Sequence, residues 1–266
     1  MKLKPATSKR SIKLDDAHAS AREPVKSGKE LERATEKQVK RISKEQRALY
    51  ADGRYALLIV LQGRDASGKD GTIKQVFSAV NPQGCIVSGF KAPTELELRH
   101  DFLWRVHAQV PVHGMIGIFN RSHYEDVLVP RVRGWITKKV CAARYDQIND
   151  FEEMLVANGT VILKFLLHIS REEQRRRLQE RLTDPTKNWK FRLGDLEDRE
   201  KWDDFTEAYE SALRHTSTKW APWYVVPADD NDVRDWLVAR VIADAMEKLD
   251  LEYPPADPAV LKVKFD

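Results

Sequence analysis

Residues 55–77, YALLIVLQGRDASGKDGTIKQVF, constrain the fold more tightly than any other stretch of the chain. Tyr55 to Gln62 is a short run of apolar and β-branched residues without polar alternation, the pattern of a strand covered on both faces. Covering both faces requires helices above and below, so the chain must build an α/β fold with a parallel sheet. A loop bounded by Gly63 and Gly68 follows at once, and helix-forming residues follow the loop.

Gly63-Arg64-Asp65-Ala66-Ser67-Gly68-Lys69 fits the pattern G-x-x-x-x-G-K between a strand and a helix, the context a phosphate-binding loop requires. Glycines at both ends let the backbone curl so that successive N–H groups point at phosphate oxygens, and the positive end of the next helix adds to the field. Gly63, Ala66, Ser67, Gly68, Asp70 and Gly71 are the candidate phosphate-binding positions, and Lys69 bridges the distal phosphates. Asp70 stands where Ser or Thr usually offers a hydroxyl to magnesium, although Thr72 is close by. Asp65 is the better candidate metal ligand, because a carboxylate inside a phosphate loop makes sense when a cation offsets its repulsion.

The same strand-then-helix unit recurs. Cys85 to Phe90, Met115 to Asn120, Thr160 to Ile169 and Trp223 to Pro227 read as four further strands, separated by helical patterns. A helix is predicted over Lys29 to Leu49, ending before Asp52-Gly53, and Thr94 and Ser170 each open a capping box. Leu98, Phe102 and Val106 repeat every four residues after Thr94, while Asn158-Gly159 closes the helix before the fourth strand. Val233, Leu237, Val241, Ala245 and Leu249 give the last helix an apolar stripe. Residues 1–27 are polar, basic and aperiodic, which predicts a flexible tail with no fold of its own. A single domain is expected over 28–252, and the prolines at 254, 255 and 258 mark 253–266 as an extended C-terminal tail.

With 42% hydrophobic and 32% charged residues, the composition is that of a globular chain rather than a disordered or membrane one. No apolar run is long enough to span a bilayer and no secretory signal precedes the domain, so a cytoplasmic protein is expected. Cys85 and Cys141 lack metal-ligand spacing and read as buried small hydrophobes. A net charge of +4 attracts polyanions of any kind, but neither an N-K-x-D guanine motif nor an aromatic-rich RNA-binding signature accompanies it. A nucleotide-regulated switch or a nucleic-acid-binding module is therefore the weaker reading.

Two further groups of residues gather where open α/β sheets bind ligands, beyond the C-terminal ends of strands. The first is FNRSHYED, 119–126, in which Asn120 ends a strand where many nucleotide-binding folds carry an acidic residue, and Arg121 can bind phosphoryl oxygens bidentately. His123 reads as a packing residue, and Arg131 and Arg133 in PRVRGW extend a basic track beside this group. The second is REEQRRRLQER, 171–181, whose arginines cover more than one helix face. They suit an arginine-bearing lid over about 171–200, although i,i+4 pairing with Glu172, Glu173 and Glu180 on a charged surface helix explains part of the pattern.

Taken in order, GRDASGKDGTIKQVF, NPQG, FNRSHYEDVLVPRVRGW, HISREEQRRRLQERL, KNWKF, GDLEDREKWDDF and TSTKWAPWYVVPA resemble the type-2 polyphosphate kinases across roughly residues 50–250. The resemblance implies an α/β P-loop kinase fold, thymidylate-kinase-like, a three-layer sandwich with a five-stranded parallel sheet and a helical lid. It also implies magnesium-dependent phosphoryl transfer, with manganese as a substitute, between inorganic polyphosphate and nucleotides. Asp65 would then sit on magnesium, Lys69 on the phosphates and Arg121 at the transferred group. Asn120, Glu125, Arg171, Arg175, Arg177 and Arg181 would serve the nucleotide and lid side. Many family members carry Asp at the position of Asn120 and Asn at that of Glu125. The version in this chain resembles the subgroup accepting nucleoside mono- and diphosphates, and a homo-oligomer, dimer or tetramer, is expected. An ATP-dependent kinase of a small metabolite is the alternative. Against it stands the number of basic residues beyond the loop, which exceeds what one triphosphate needs.

Overall fold

All seven residues of β1 (Ala56–Gln62) are buried, and the strand is flanked on both sides by parallel neighbours. These are β3 (Ile116–Asn120) and β4 (Thr160–His168); β2 (Cys85–Gly89) and β5 (Trp223–Pro227) close the five-stranded sheet in the order β2-β3-β1-β4-β5. The computed structural model describes residues 2–6, 12–21 and 28–264.

The period of two along β1 divides its side chains between two cores. Leu57, Ile59 and Leu61 pack under α1 (Gly28–Asp52), α2 (Lys69–Val76) and α10 (Asn231–Met246). Leu58 and Val60 face α5 (Glu125–Val132), α6 (Lys138–Ala157) and α9 (Trp202–Thr216). Removing this apolar surface from water, at about 25 cal/mol per Å², drives the three-layer arrangement that the strand composition predicts. The five strands lie within one or two residues of their expected limits.

Four local expectations change. The helix expected through Leu98, Phe102 and Val106 is two short ones, α3 (Glu95–Leu98) and α4 (Trp104–His107). Thr94 forms its capping box with Glu97, but Asp101 accepts from the Leu103 amide and restarts the chain, leaving Leu98 exposed. The first long helix runs on to Asp52, and Gly53 at φ 67° ends it. Cys85 is only half-buried on an edge strand, whereas Cys141 is buried; both are free thiols.

The fourth change concerns residues 1–27, of which 1, 7–11 and 22–27 lie outside the described residues. Leu14 is buried in the α5–α6–α9 core and Ala19 is fully buried. The Ala6 amide donates to Trp223 O, Nε2 of His168 lies 2.8 Å from Asp15 O, and the Asp229 amide donates to Ala19 O. Segment 12–21 therefore packs on the domain rather than forming a tail without a fold. Its few apolar residues lack a helical or strand period because irregular backbone carries them.

Candidate active site

The loop from Gly63 to Gly68 leaves the C-terminal end of β1, between β3 and β4, where the strand order reverses direction and opens a crevice. Gly63 is required on steric grounds: a Cβ there would lie 2.6 Å from Ser67 Oγ and 2.7 Å from Leu167 O. Gly68 stands in the left-handed region at φ 98° and precedes the first residue of α2, which is Lys69. Ala66 and Arg121, although not glycines, also have positive φ, 66° and 62°. Such backbone costs roughly 1–3 kcal/mol per residue and collects at functional sites.

Four charged side chains, Asp65, Lys69, Arg121 and Glu125, meet at this crevice. An Arg121 guanidinium nitrogen lies 2.5 Å from an Asp65 carboxylate oxygen and another lies 3.0 Å from Glu125. Lys69 Nζ donates to the carbonyls of Gly63 and Arg64 at 2.7 and 3.2 Å. Burial and the Arg121 charge pull Lys69 down to about 8, against the opposing carboxylates of Asp65, Glu125 and Asp70. Burial pushes the Asp65 carboxyl up, but Arg121 and Lys69 outweigh it and hold the group below its ordinary value. Asp65 is thus a part-buried anion kept ionised by the neighbouring cations, Arg121 and Lys69 foremost. Gly63, Arg64, Asp65, Arg121, Glu125, Phe205 and Tyr209 help line a solvent-open cleft of about 430 Å³.

The remaining predicted positions divide between this crevice and other places. Asn120 donates to Asp70 at 2.7 Å, and Lys190 lies 3.8 Å from the same carboxylate, so Asp70 sits at the rim. Thr72 is fully buried and donates to Asp235 behind the loop, away from the position of a metal-binding hydroxyl. Arg131 pairs with Glu207, and Arg133 with Glu197 and Asp198 of α8 (Gly194–Glu200), so the expected basic track is neutralised by acidic neighbours. Arg171, at the start of α7 (Arg171–Thr183), is bound through its backbone amide to Asp16. Arg175 pairs with Glu172 on the exposed surface, and Arg181 reaches Asp195. Arg177 alone of these four touches the loop, donating to Ala66 O at 3.0 Å as well as to Ala228 O and Asp229 O.

Other residues at or near the site carry no motif. The Arg64 guanidinium stacks 3.8 Å over Trp202 and donates to its carbonyl, tying the loop to α9. Gln174 donates to Asp65 O. Arg234 lies under Gly68 and Gly71, where it pairs with Asp235. Beneath the crevice Lys164 Nζ donates to Glu152 (2.5 Å), Tyr124 (2.8 Å) and Thr216 O (2.7 Å), and His123 lies 3.2 Å from Glu152. His123 is fully buried, as expected of a packing residue. A lysine in the middle of TVILKFLLH, apolar but for its two end residues, was the available signal for this buried pair, since a strand buries an ammonium only opposite an acceptor.

No group of three or more His, Cys, Asp or Glu side chains that could hold a metal exists among the described residues. One ionised carboxylate beside a phosphate loop is nevertheless the donor set that suits magnesium, which takes one or two carboxylates and completes its shell with phosphates and water.

A parallel sheet carrying G-x-x-x-x-G-K at the end of its central strand, with lysine, arginine and carboxylate converging on it, defines a P-loop phosphotransferase fold. The sequence profile of the Polyphosphate kinase 2 family matches residues 25–254, and the chain belongs to that family. It is 55% identical over 227 residues to the AMP/ADP-polyphosphate phosphotransferase of Meiothermus ruber, covering 85% of each chain. To the ADP-polyphosphate phosphotransferase of Rhodopseudomonas palustris it is 48% identical, covering 84% of this chain and 81% of the other. The crystal structure of Polyphosphate Kinase 2 from Arthrobacter aurescens TC1 superposes with a TM-score of 0.88 at 38% identity, over 98% of this chain and 97% of that one.

Proposed function

We propose that this chain transfers phosphoryl groups from inorganic polyphosphate to AMP and to ADP, and that Lys69, Arg121 and Asp65 carry the reaction. The convergence of these three side chains on the Gly63–Gly68 loop is the observation that carries the reading. The 55% identity to a protein named for transfer to both AMP and ADP supports the acceptor assignment.

The chemistry requires little from the protein beyond alignment and charge. A phosphate oxygen of the nucleotide attacks the terminal phosphorus of the chain, a new P–O–P bond forms, and the phosphoanhydride bond breaks to leave a chain one unit shorter. The attacking oxygen is already anionic, so no general base is needed and catalysis reduces to orientation and neutralisation of the migrating charge. Lys69 has a third N–H to offer beyond its two loop carbonyls, and the donor phosphate would take it. Arg121, held in line by Asp65 and Glu125, would bind the equatorial oxygens of the transferred group. Asp65, with the phosphates, would hold magnesium, for which manganese can substitute; when bound, the ion supplies further charge neutralisation. The remaining loop positions Gly63, Ala66, Ser67, Gly68 and Gly71 would cradle the donor phosphates, and Asn120 and Glu125 would face the acceptor. With both thiols free, a reducing, cytoplasmic setting fits the chain.

A luminescence assay for ATP, with purified protein, magnesium, polyphosphate and ADP, tests the reading. ATP should accumulate in proportion to enzyme. ATP consumption by a small-metabolite acceptor, with no ATP made from polyphosphate, would contradict it.

A further inference from the structure

A trans peptide points its carbonyl and the following N–H in opposite directions, so the outward aim of one fixes the inward aim of the other. Three consecutive carbonyls of the phosphate loop are held from outside by side chains of other elements. Asp65 O accepts from Gln174 Nε2 at 3.2 Å, Ala66 O from Arg177 Nη1 at 3.0 Å, and Ser67 O from Arg234 Nη1 at 3.4 Å. The amides of Ala66 and Gly68 thereby turn to the opposite side, and the Ser67 amide closes the turn on Arg64 O.

Arg234 does more than its long bond to Ser67 suggests. Its side chain is almost fully buried, and a Cβ on Gly68 would fall 2.0 Å from Nη1, so the guanidinium lies directly beneath the end of the loop. It is fixed there by Asp235, at 2.9 Å from both Nε and Nη2, and by Asn231, at 2.5 Å from Nη1. Asp235 in turn accepts from Thr72 in the first turn of α2. One buried pair on α10 therefore touches the loop end and the helix whose N-terminus faces the phosphate.

We propose that Arg234 is a positioning residue for polyphosphate, which acts with Gln174 and Arg177 to aim the loop amides without touching the substrate. The proposal rests on the loop being the donor-phosphate site. It accounts for the two glycines, 68 and 71, that lie against the guanidinium, and for an ion pair buried away from the crevice.

Replacing both members of a buried ion pair with apolar residues of similar volume leaves a fold largely intact, whereas removing one strands a charge. The double variant Arg234→Met/Asp235→Leu should therefore melt within a few degrees of the unsubstituted enzyme. Its affinity for tripolyphosphate, measured by titration calorimetry, should fall about tenfold, with KM for polyphosphate rising to match and KM for ADP unchanged. Arg234→Lys keeps a charge for Asp235 but cannot span Asp235, Asn231 and Ser67 together, and should lose about threefold. This second variant decides the matter where the double variant does not fold. Either folded variant binding tripolyphosphate as tightly as the unsubstituted enzyme would overturn the proposal. A purely structural role would lower the folded fraction and apparent kcat while leaving the affinity of folded enzyme alone, which would overturn it too. Absence of tripolyphosphate binding by the unsubstituted enzyme would overturn the donor-site reading itself, and the brace with it.

Discussion

The phosphate loop and the segment 171–200 are both rich in charge, yet they use it differently. At the loop, Lys69 is held by burial and by the carbonyls of Gly63 and Arg64, and Arg121, just past β3, by the distant carboxylate of Asp65. In α7 the side chain of Arg175 is 54% exposed and pairs with Glu172 one turn away, while Arg177, 10% exposed, reaches across to Ala66 O. Residues of one type, two positions apart, are a surface pair and a brace. Burial and not the count of arginines decides which of them bears on the loop, because an exposed pair contributes only about 0–1 kcal/mol.

That contrast can be broken at its strong end first. Lys69→Met should reduce turnover of polyphosphate and ADP by at least about 10³-fold while the melting temperature holds, since the ammonium, already seated on the loop, is the group proposed to bind the donor phosphate. Arg121→Ala should cost about 10²-fold in kcat, in the range for losing one transition-state donor. Turnover within threefold of the unsubstituted enzyme in either variant would remove that residue from the assignment.

A smaller effect follows from pH. Lys69 in the free enzyme titrates at about 8, and a bound polyanion favours its charged form, so binding takes up a proton once the pH exceeds that value. Tripolyphosphate affinity should be unaffected by Lys69 below pH 8 and fall about tenfold by pH 9.5. Lys69→Arg, whose guanidinium stays charged, should flatten that slope. An unchanged slope in Lys69→Arg would assign the titration to another group. The smallest effect belongs to Arg175→Ala, which should leave the melting temperature unchanged and alter activity by less than about twofold, as removal of an exposed ion pair does. A large loss of activity there would show that the exposed arginines act on substrate.

The sheet and the phosphate loop were legible in the chain because short-range rules determine them. The apolar run 56–62 demands two covering layers, and the spacing of Gly63, Gly68 and Lys69 demands one backbone path. What stayed hidden depends on contacts between residues far apart in sequence. Arg234 lies 166 positions beyond Gly68, Leu14 reaches the core through irregular backbone, and the partners of Arg131 and Arg133 come from α9 and α8. The expected basic track failed for that reason: counting arginines along the chain ignores the carboxylates that folding brings opposite them. Asp101 misled in a different way, since one side chain accepting from a nearby amide is enough to divide a helix that periodicity alone would continue.

Phosphorus-31 NMR of the purified protein with magnesium, polyphosphate and AMP, followed over time beside Lys69→Met, tests the central claim most directly. Resonances of ADP and then ATP should grow as the polyphosphate chain shortens, and should be absent with Lys69→Met. Unchanged AMP and intact polyphosphate in the presence of folded enzyme, in this mixture and again with ADP in place of AMP, would contradict the assignment.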